Sequence, residues 1–160
     1  MKLKDYIKHL RERKYMRGIE RNKLRVKATA EVFTSTECVR EILTYIPKEY
    51  LADLESTFID KCCGDGQFLS EILIAKLENG IDFECALSTI YGVDLMQDNI
   101  ELCQERLLCG REDLRPIVEQ NIVCADALRY HYRFDGTTPY LTELTKGPEL
   151  WGNHEAWTKG

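Results

Sequence analysis

Prolines are scarce in this chain: four occur in 160 residues, at 47, 116, 139 and 148, and no two are adjacent. Tryptophan occurs only as Trp151 and Trp157. Long apolar runs are missing as well. The longest uncharged stretch, Cys85 to Val93, has nine residues, whereas a bilayer-spanning helix needs about 20. Charge begins at Lys2 with no apolar segment behind it, so no signal peptide is visible. Seven cysteines are present, yet none stands at C-x-x-C spacing. An odd, irregular set of this kind excludes a zinc knuckle and reads as free thiols behaving as small hydrophobes. His131 and His154 have no paired ligand pattern, so no metal site is expected. Together these absences lead us to expect a reduced, cytoplasmic protein with no membrane partner.

What is present is unevenly charged. The net charge is −5, but residues 1–30 hold 11 Lys/Arg against three acids, a net of +8. The remaining 130 residues hold 11 bases and 24 acids, a net of −13. A basic arm on an acidic body suggests an anionic partner, with DNA as the candidate. The competing expectation is that the arm neutralises the acidic body itself. We divide the chain into a basic helical arm (1–30), a ligand-binding domain (31–135) and an irregular C-terminal tail (136–160).

Leu3, Tyr6, Ile7 and Leu10 share one helical face and predict an amphipathic helix over 3–21, interrupted near Gly18. A second helix starts after Thr34 or Ser35 and ends before Pro47. Ser56 to Asp60 reads as a short strand, Lys61 to Gln67 as a turn, and Phe68 to Leu77 as a helix stopped by Asn79-Gly80. A helix over 82–89, a strand over 90–94, a helix over 97–108 and a strand over 121–125 follow. Alternating strands and helices predict a parallel α/β sheet. In such sheets ligands bind beyond the carboxyl ends of the strands, where Asp60, Asp94 and Asp126 all fall.

Asp60-Lys-Cys-Cys-Gly-Asp-Gly-Gln-Phe-Leu69 joins a strand to a helix through two glycines at i and i+2. Glycine permits a tight turn and close approach to a ligand, and the helix offers free N–H groups. Asp94, at the end of the next strand, suits the two hydroxyls of a ribose. Capping of the next helix is its structural alternative. Asp126 suits an exocyclic amine such as that of adenine.

These residues resemble the class I S-adenosylmethionine-dependent methyltransferases, and more narrowly the adenine-N6 DNA methyltransferases of restriction–modification systems and phages. The matching segments are Phe33-Thr34-Ser35, Asp60 to Leu69, Tyr91-Gly92-Val93-Asp94 and Asp126-Ala127-Leu128, in the family's order over about residues 31–128. The resemblance implies a Rossmann-like parallel sheet and S-adenosyl-L-methionine as cofactor. It assigns cofactor binding to Phe33, Thr34, Asp60, Cys62, Cys63, Gly64, Gly66, Phe68, Asp94, Asp126 and Ala127.

Two positions depart from the family in the binding segments: Ser35 and Lys61 stand where proline is usual. The larger departure is the absence of Asn-Pro-Pro-Tyr, which in the family holds the target amine and stacks on a flipped base. The nearest candidate is Thr137-Thr138-Pro139-Tyr140, with Thr137 and Tyr140 in the catalytic places, and threonine lacks the carboxamide oxygen. The sequence therefore reads as a sheet incomplete on its C-terminal side, truncated relative to the full family. The missing side is expected to be covered by the tail, a second protein or a second copy. The functional readings are a DNA methyltransferase-like protein, a catalytically inactive fold retained as a DNA- or protein-binding module, and an enzyme of another kind that uses the same cofactor, for which no base or nucleophile stands out.

Overall fold

The computed structural model describes residues 2–16, 18, 21–29 and 31–136. Its centre is a three-stranded, wholly parallel sheet in the order β1 (Phe58–Asp60), β2 (Ile90–Asp94), β3 (Ile122–Cys124). Parallel neighbours need long crossovers. The first runs through α5 (Gln67–Glu78) and α6 (Phe83–Ser88), and the second through α7 (Gln97–Leu108) and α8 (Arg115–Asn121). This is a mixed α/β architecture compatible with a Rossmann-like fold.

The strands carry their burial in their sequence. Ile90 and Val93 of β2 are buried, as is Ile122 of β3. Gly92 lies where a Cβ would come within 2.8 Å of Leu69 and 3.0 Å of the Cys63 sulfur, so the central strand can sit close under the glycine turn only without a side chain there. Register places Asp60 beside Gly92, and Asp94 beside Cys124. The Ala125 N–H then donates to the Asp94 carbonyl at 2.9 Å, and Asp126 emerges two residues beyond the end of β3.

Most expected elements occur. The expected helix over 3–21 is corrected. α1 covers only Leu3–Glu12, and Arg13 is already extended (φ −71°, ψ 138°). Backbone groups beyond it bond to the body instead of to a helix: the Lys14 carbonyl accepts from Arg106 at 2.8 Å, and the Met16 N–H donates to Asp65 at 2.8 Å. Gly18 (φ +56°) pairs with Phe33 through two reciprocal 2.9 Å bonds, and a separate helix α2 (Lys23–Thr29) follows. The second expected helix is α3 (Thr36–Leu43), capped by the Ser35 hydroxyl on the Cys38 N–H. α4 (Lys48–Ala52) and α8 were not anticipated. The first strand starts at Phe58 rather than Ser56, because the Ser56 and Asp53 carbonyls both accept from the fully buried Lys76 ammonium.

α1 is part of the core. Leu10 is fully buried and Tyr6 stacks on Phe83 with ring centroids 4.1 Å apart. All seven cysteines are free thiols. Among the described residues no helix is long and apolar enough to cross a membrane.

Candidate functional site

A crevice of about 570 Å³ opens over the carboxyl edge of the sheet, within the size range of small-molecule sites. Ten of the eleven sequence-predicted binding residues line it: Phe33, Thr34, Asp60, Cys62, Cys63, Gly64, Phe68, Asp94, Asp126 and Ala127. Gly66 lies beneath the wall as the N-cap of α5, at φ +84°. A Cβ there would meet the Cys103 sulfur at 2.6 Å and its Cα at 3.3 Å, so this glycine serves the packing of α7 under the turn. Thr137 and Tyr140 lie outside the described residues.

The turn is built around Asp94. One of its carboxylate oxygens accepts from the Gly64 N–H at 2.9 Å. The other accepts from the Met96 N–H at 2.9 Å and from the Asn99 amide at 3.2 Å. A carboxylate has about four acceptor positions, so capacity remains toward the crevice. Asp60 accepts from the Cys62 N–H at 3.0 Å, and Asp126 from the Leu128 N–H at 2.9 Å.

Sequence reasoning missed the frame that holds these groups. Arg25 of α2 clasps Glu31 through two bonds of 2.7 and 2.9 Å and reaches Asp98 at 2.7 Å. Arg21 bonds Asn99 at 2.6 Å and Asp98 at 3.2 Å. Asn99, 1% exposed, then links Glu31 to Asp94. On the other side Arg106 forms a buried ion pair with Asp65 and lies 4.5 Å from the Tyr15 ring centroid. Gln67 joins α5 to the Thr34 carbonyl and the Thr36 N–H. Arg25–Glu31 and Asn99–Asp94 are six and five residues apart, but Arg21, Gln67 and the Arg25–Asp98 contact join partners 31 to 78 residues apart, which local spacing does not announce.

The crevice is electrostatically one-sided. Glu31, Asp60, Asp65, Asp94 and Asp126 line it with a single ammonium, Lys61, and of these acids Glu31 and Asp65 are neutralised from behind the wall, by Arg25 and Arg106. Burial pushes the Asp60 carboxyl above its ordinary range, and neighbouring Asp94 pushes it further. Burial likewise raises Asp94, with Glu31 adding to the shift against its hydrogen bonds. The Cys62 thiol is raised by burial and by both aspartates, which holds it as an unreactive thiol. A cavity of this kind disfavours phosphate. It suits a ligand that brings positive charge and N–H or O–H donors.

Over 105 residues the chain is 32% identical to "Type II methyltransferase M.VspI" of Vibrio sp. (strain 343). The match covers 64% of this chain and 22% of that protein, so the chain spans about a fifth of the relative's length. This likeness supports kinship with methyltransferases. No family model matches the chain, and no solved structure matches it with significance.

Proposed function

We propose that the crevice binds S-adenosyl-L-methionine and that the chain serves methylation of DNA at adenine N6. The observation that carries the reading is the acidic wall, in which Asp60 and Asp94 end β1 and β2 and Asp126 follows the end of β3 by two residues, all around the glycine turn. The ligand's chemistry fits that wall: an ammonium, a sulfonium, a ribose diol and an adenine amine are all cations or donors. Bound there, it supplies an electrophilic methyl group. The chain's own contribution is orientation. Asp60 and the Cys62–Gly64 backbone face the amino-acid end, Asp94 takes the ribose hydroxyls, Asp126 accepts from the adenine amine, and Phe33 and Phe68 flank the ring. The methyltransferase likeness and the four motif segments support this assignment.

Calorimetric titration with S-adenosylmethionine and S-adenosylhomocysteine tests it. Binding of both is expected. Asp126→Asn, which keeps the acceptor for the Leu128 N–H, is expected to weaken binding about tenfold, at 1.5–3 kcal/mol per bond to a charged group. No heat at millimolar ligand overturns the assignment. Asn-Pro-Pro-Tyr does not occur in these 160 residues, so they alone are expected to bind the donor without turning over DNA. A tritium-transfer assay showing multiple turnovers overturns that second expectation.

A further inference from the structure

Beyond Asp126 the chain runs Arg129-Tyr-His-Tyr-Arg-Phe134 and packs Phe134 against Tyr91 of β2, and its exposure alternates with its chemistry. Arg129, His131 and Arg133 are exposed, whereas Tyr130, Tyr132 and Phe134 are partly buried. The aromatic side is anchored. Phe134 lies 4.7 Å from the Tyr91 ring of β2, and Tyr130 lies 5.1 Å from Tyr132 and 5.3 Å from Phe134, centroid to centroid. The Tyr132 hydroxyl donates to the Ala127 carbonyl, Gln120 donates to the Phe134 carbonyl at 2.6 Å, and the Phe134 N–H donates to the Tyr130 hydroxyl at 3.1 Å.

Two of these aromatics hold left-handed backbone, at φ +51° for Tyr132 and +48° for Phe134. Such strain persists where the surroundings over-determine it, and it concentrates at functional sites. Its consequence is a fixed display of cations. Arg129 meets Asp126 only at 3.7 Å, and Arg133 has no partner among the described residues. Lys61, exposed on the crevice rim, lies 5.1 Å over the Tyr132 ring and so brings a third cation to this segment.

By contrast, the arm's guanidinium groups Arg11, Arg21 and Arg25 are engaged with Glu78, Asp98 and Glu31. We infer that Lys61, Arg129 and Arg133 form a phosphate-contacting strip that docks a DNA backbone beside the crevice mouth. Resting on the proposed function for its choice of DNA, this places the nucleic acid where a transferred methyl would leave the crevice. Phosphate contacts of this kind position a duplex without reading its sequence.

The test uses the full chain and a short fluorescein-labelled DNA duplex, followed by anisotropy across a salt series. Three contacts predict a contribution of about −2.7 to the log–log salt slope, at about −0.9 per phosphate. Arg129→Gln/Arg133→Gln should lose about tenfold in affinity at low salt and flatten the slope by about 1.8. Arg129→Lys/Arg133→Lys should retain both, because charge rather than fork geometry is required. Arg133→Gln alone should bind S-adenosylmethionine as the parent chain does, with an unchanged melting midpoint. Parental affinity and slope in the glutamine double variant overturn the strip, as does a parent chain that binds no DNA at low salt. An RNA duplex that binds more tightly overturns the assignment to DNA. DNA binding lost in the variant, in a chain that gives no heat with S-adenosylmethionine, leaves the strip standing while the cofactor reading falls.

Discussion

Asp60 and Asp94 show most clearly how single residues bear on function. Each is a carboxyl raised above its ordinary value chiefly by burial. A raised folded-state value means that the folded protein holds the proton more tightly than the unfolded chain. The resulting stability is fully present below the ordinary carboxylate range and is lost as pH rises through the folded values. The free protein should therefore be more stable in mild acid than these groups' charges allow at neutrality. A cationic ligand should bind more weakly there, as the wall loses its charge. Asp60→Asn keeps the acceptor for the Cys62 N–H and removes the buried charge. We expect it to stabilise the free protein at pH 7 by about 1 kcal/mol, or about 2–4 °C in melting midpoint, and to weaken S-adenosylmethionine binding. Melting curves and calorimetry at two pH values check both, and a lowered midpoint with unchanged affinity contradicts the argument. These acids were legible in the sequence because each ends a short apolar run. Their raised values were not, because these depend on burial in the folded crevice, on Glu31 beside Asp94 and on Asp94 beside Asp60.

Among the elements, α2 is the least legible and carries the most consequence. Its seven residues, Lys23–Thr29, have almost no apolar face, and Leu24 is 78% exposed, so hydrophobic periodicity could not find it. It is held by Arg25, whose fork binds Glu31 of the crevice wall and Asp98 of α7. The paired side chains of Arg25 and Glu31 are 14% and 12% exposed. Removing the guanidinium leaves two carboxylates facing each other beside Asn99, which itself supports Asp94. Arg25→Ala should cost about 2–3 kcal/mol in unfolding free energy, the scale of hydrogen bonds to charged groups. It should also weaken ligand binding, although Arg25 does not line the crevice. Arg25→Lys should recover little, because an ammonium cannot reproduce the bidentate clasp. Denaturant unfolding with parallel calorimetry separates the cases: loss of stability with undiminished affinity would mean that α2 does not position the wall. The elements that were legible, β2 and α7 to the residue, are those with apolar periodicity and a glycine or acid at the boundary.

Taken as a whole, the chain shows charge that is divided in the sequence and rejoined in the fold. Residues 1–30 carry a net +8, yet Arg11, Arg21 and Arg25 each end on a carboxylate of the acidic body. The apolar stripe of α1 settles the matter energetically. Exposed pairs such as Arg11–Glu78 contribute about 0–1 kcal/mol, whereas a fully buried leucine contributes several times that. Leu10 is fully buried, Tyr6 stacks on Phe83, and the Tyr6 hydroxyl accepts from Arg111 at 3.0 Å. Sequence reading found the stripe but not its destination, since Phe83 and Arg111 lie far along the chain. The expectation of an arm divisible at residue 30 therefore has a direct test. Leu10→Ala should destabilise the protein by about 2–5 kcal/mol. Deleting residues 1–12 should remove most of a total stability on the order of 5–15 kcal/mol, leaving a chain without a cooperative melt. A truncated protein that melts cooperatively at the parental midpoint would show instead that α1 is an appendage, with its cations available to a partner and its apolar face dispensable to the core.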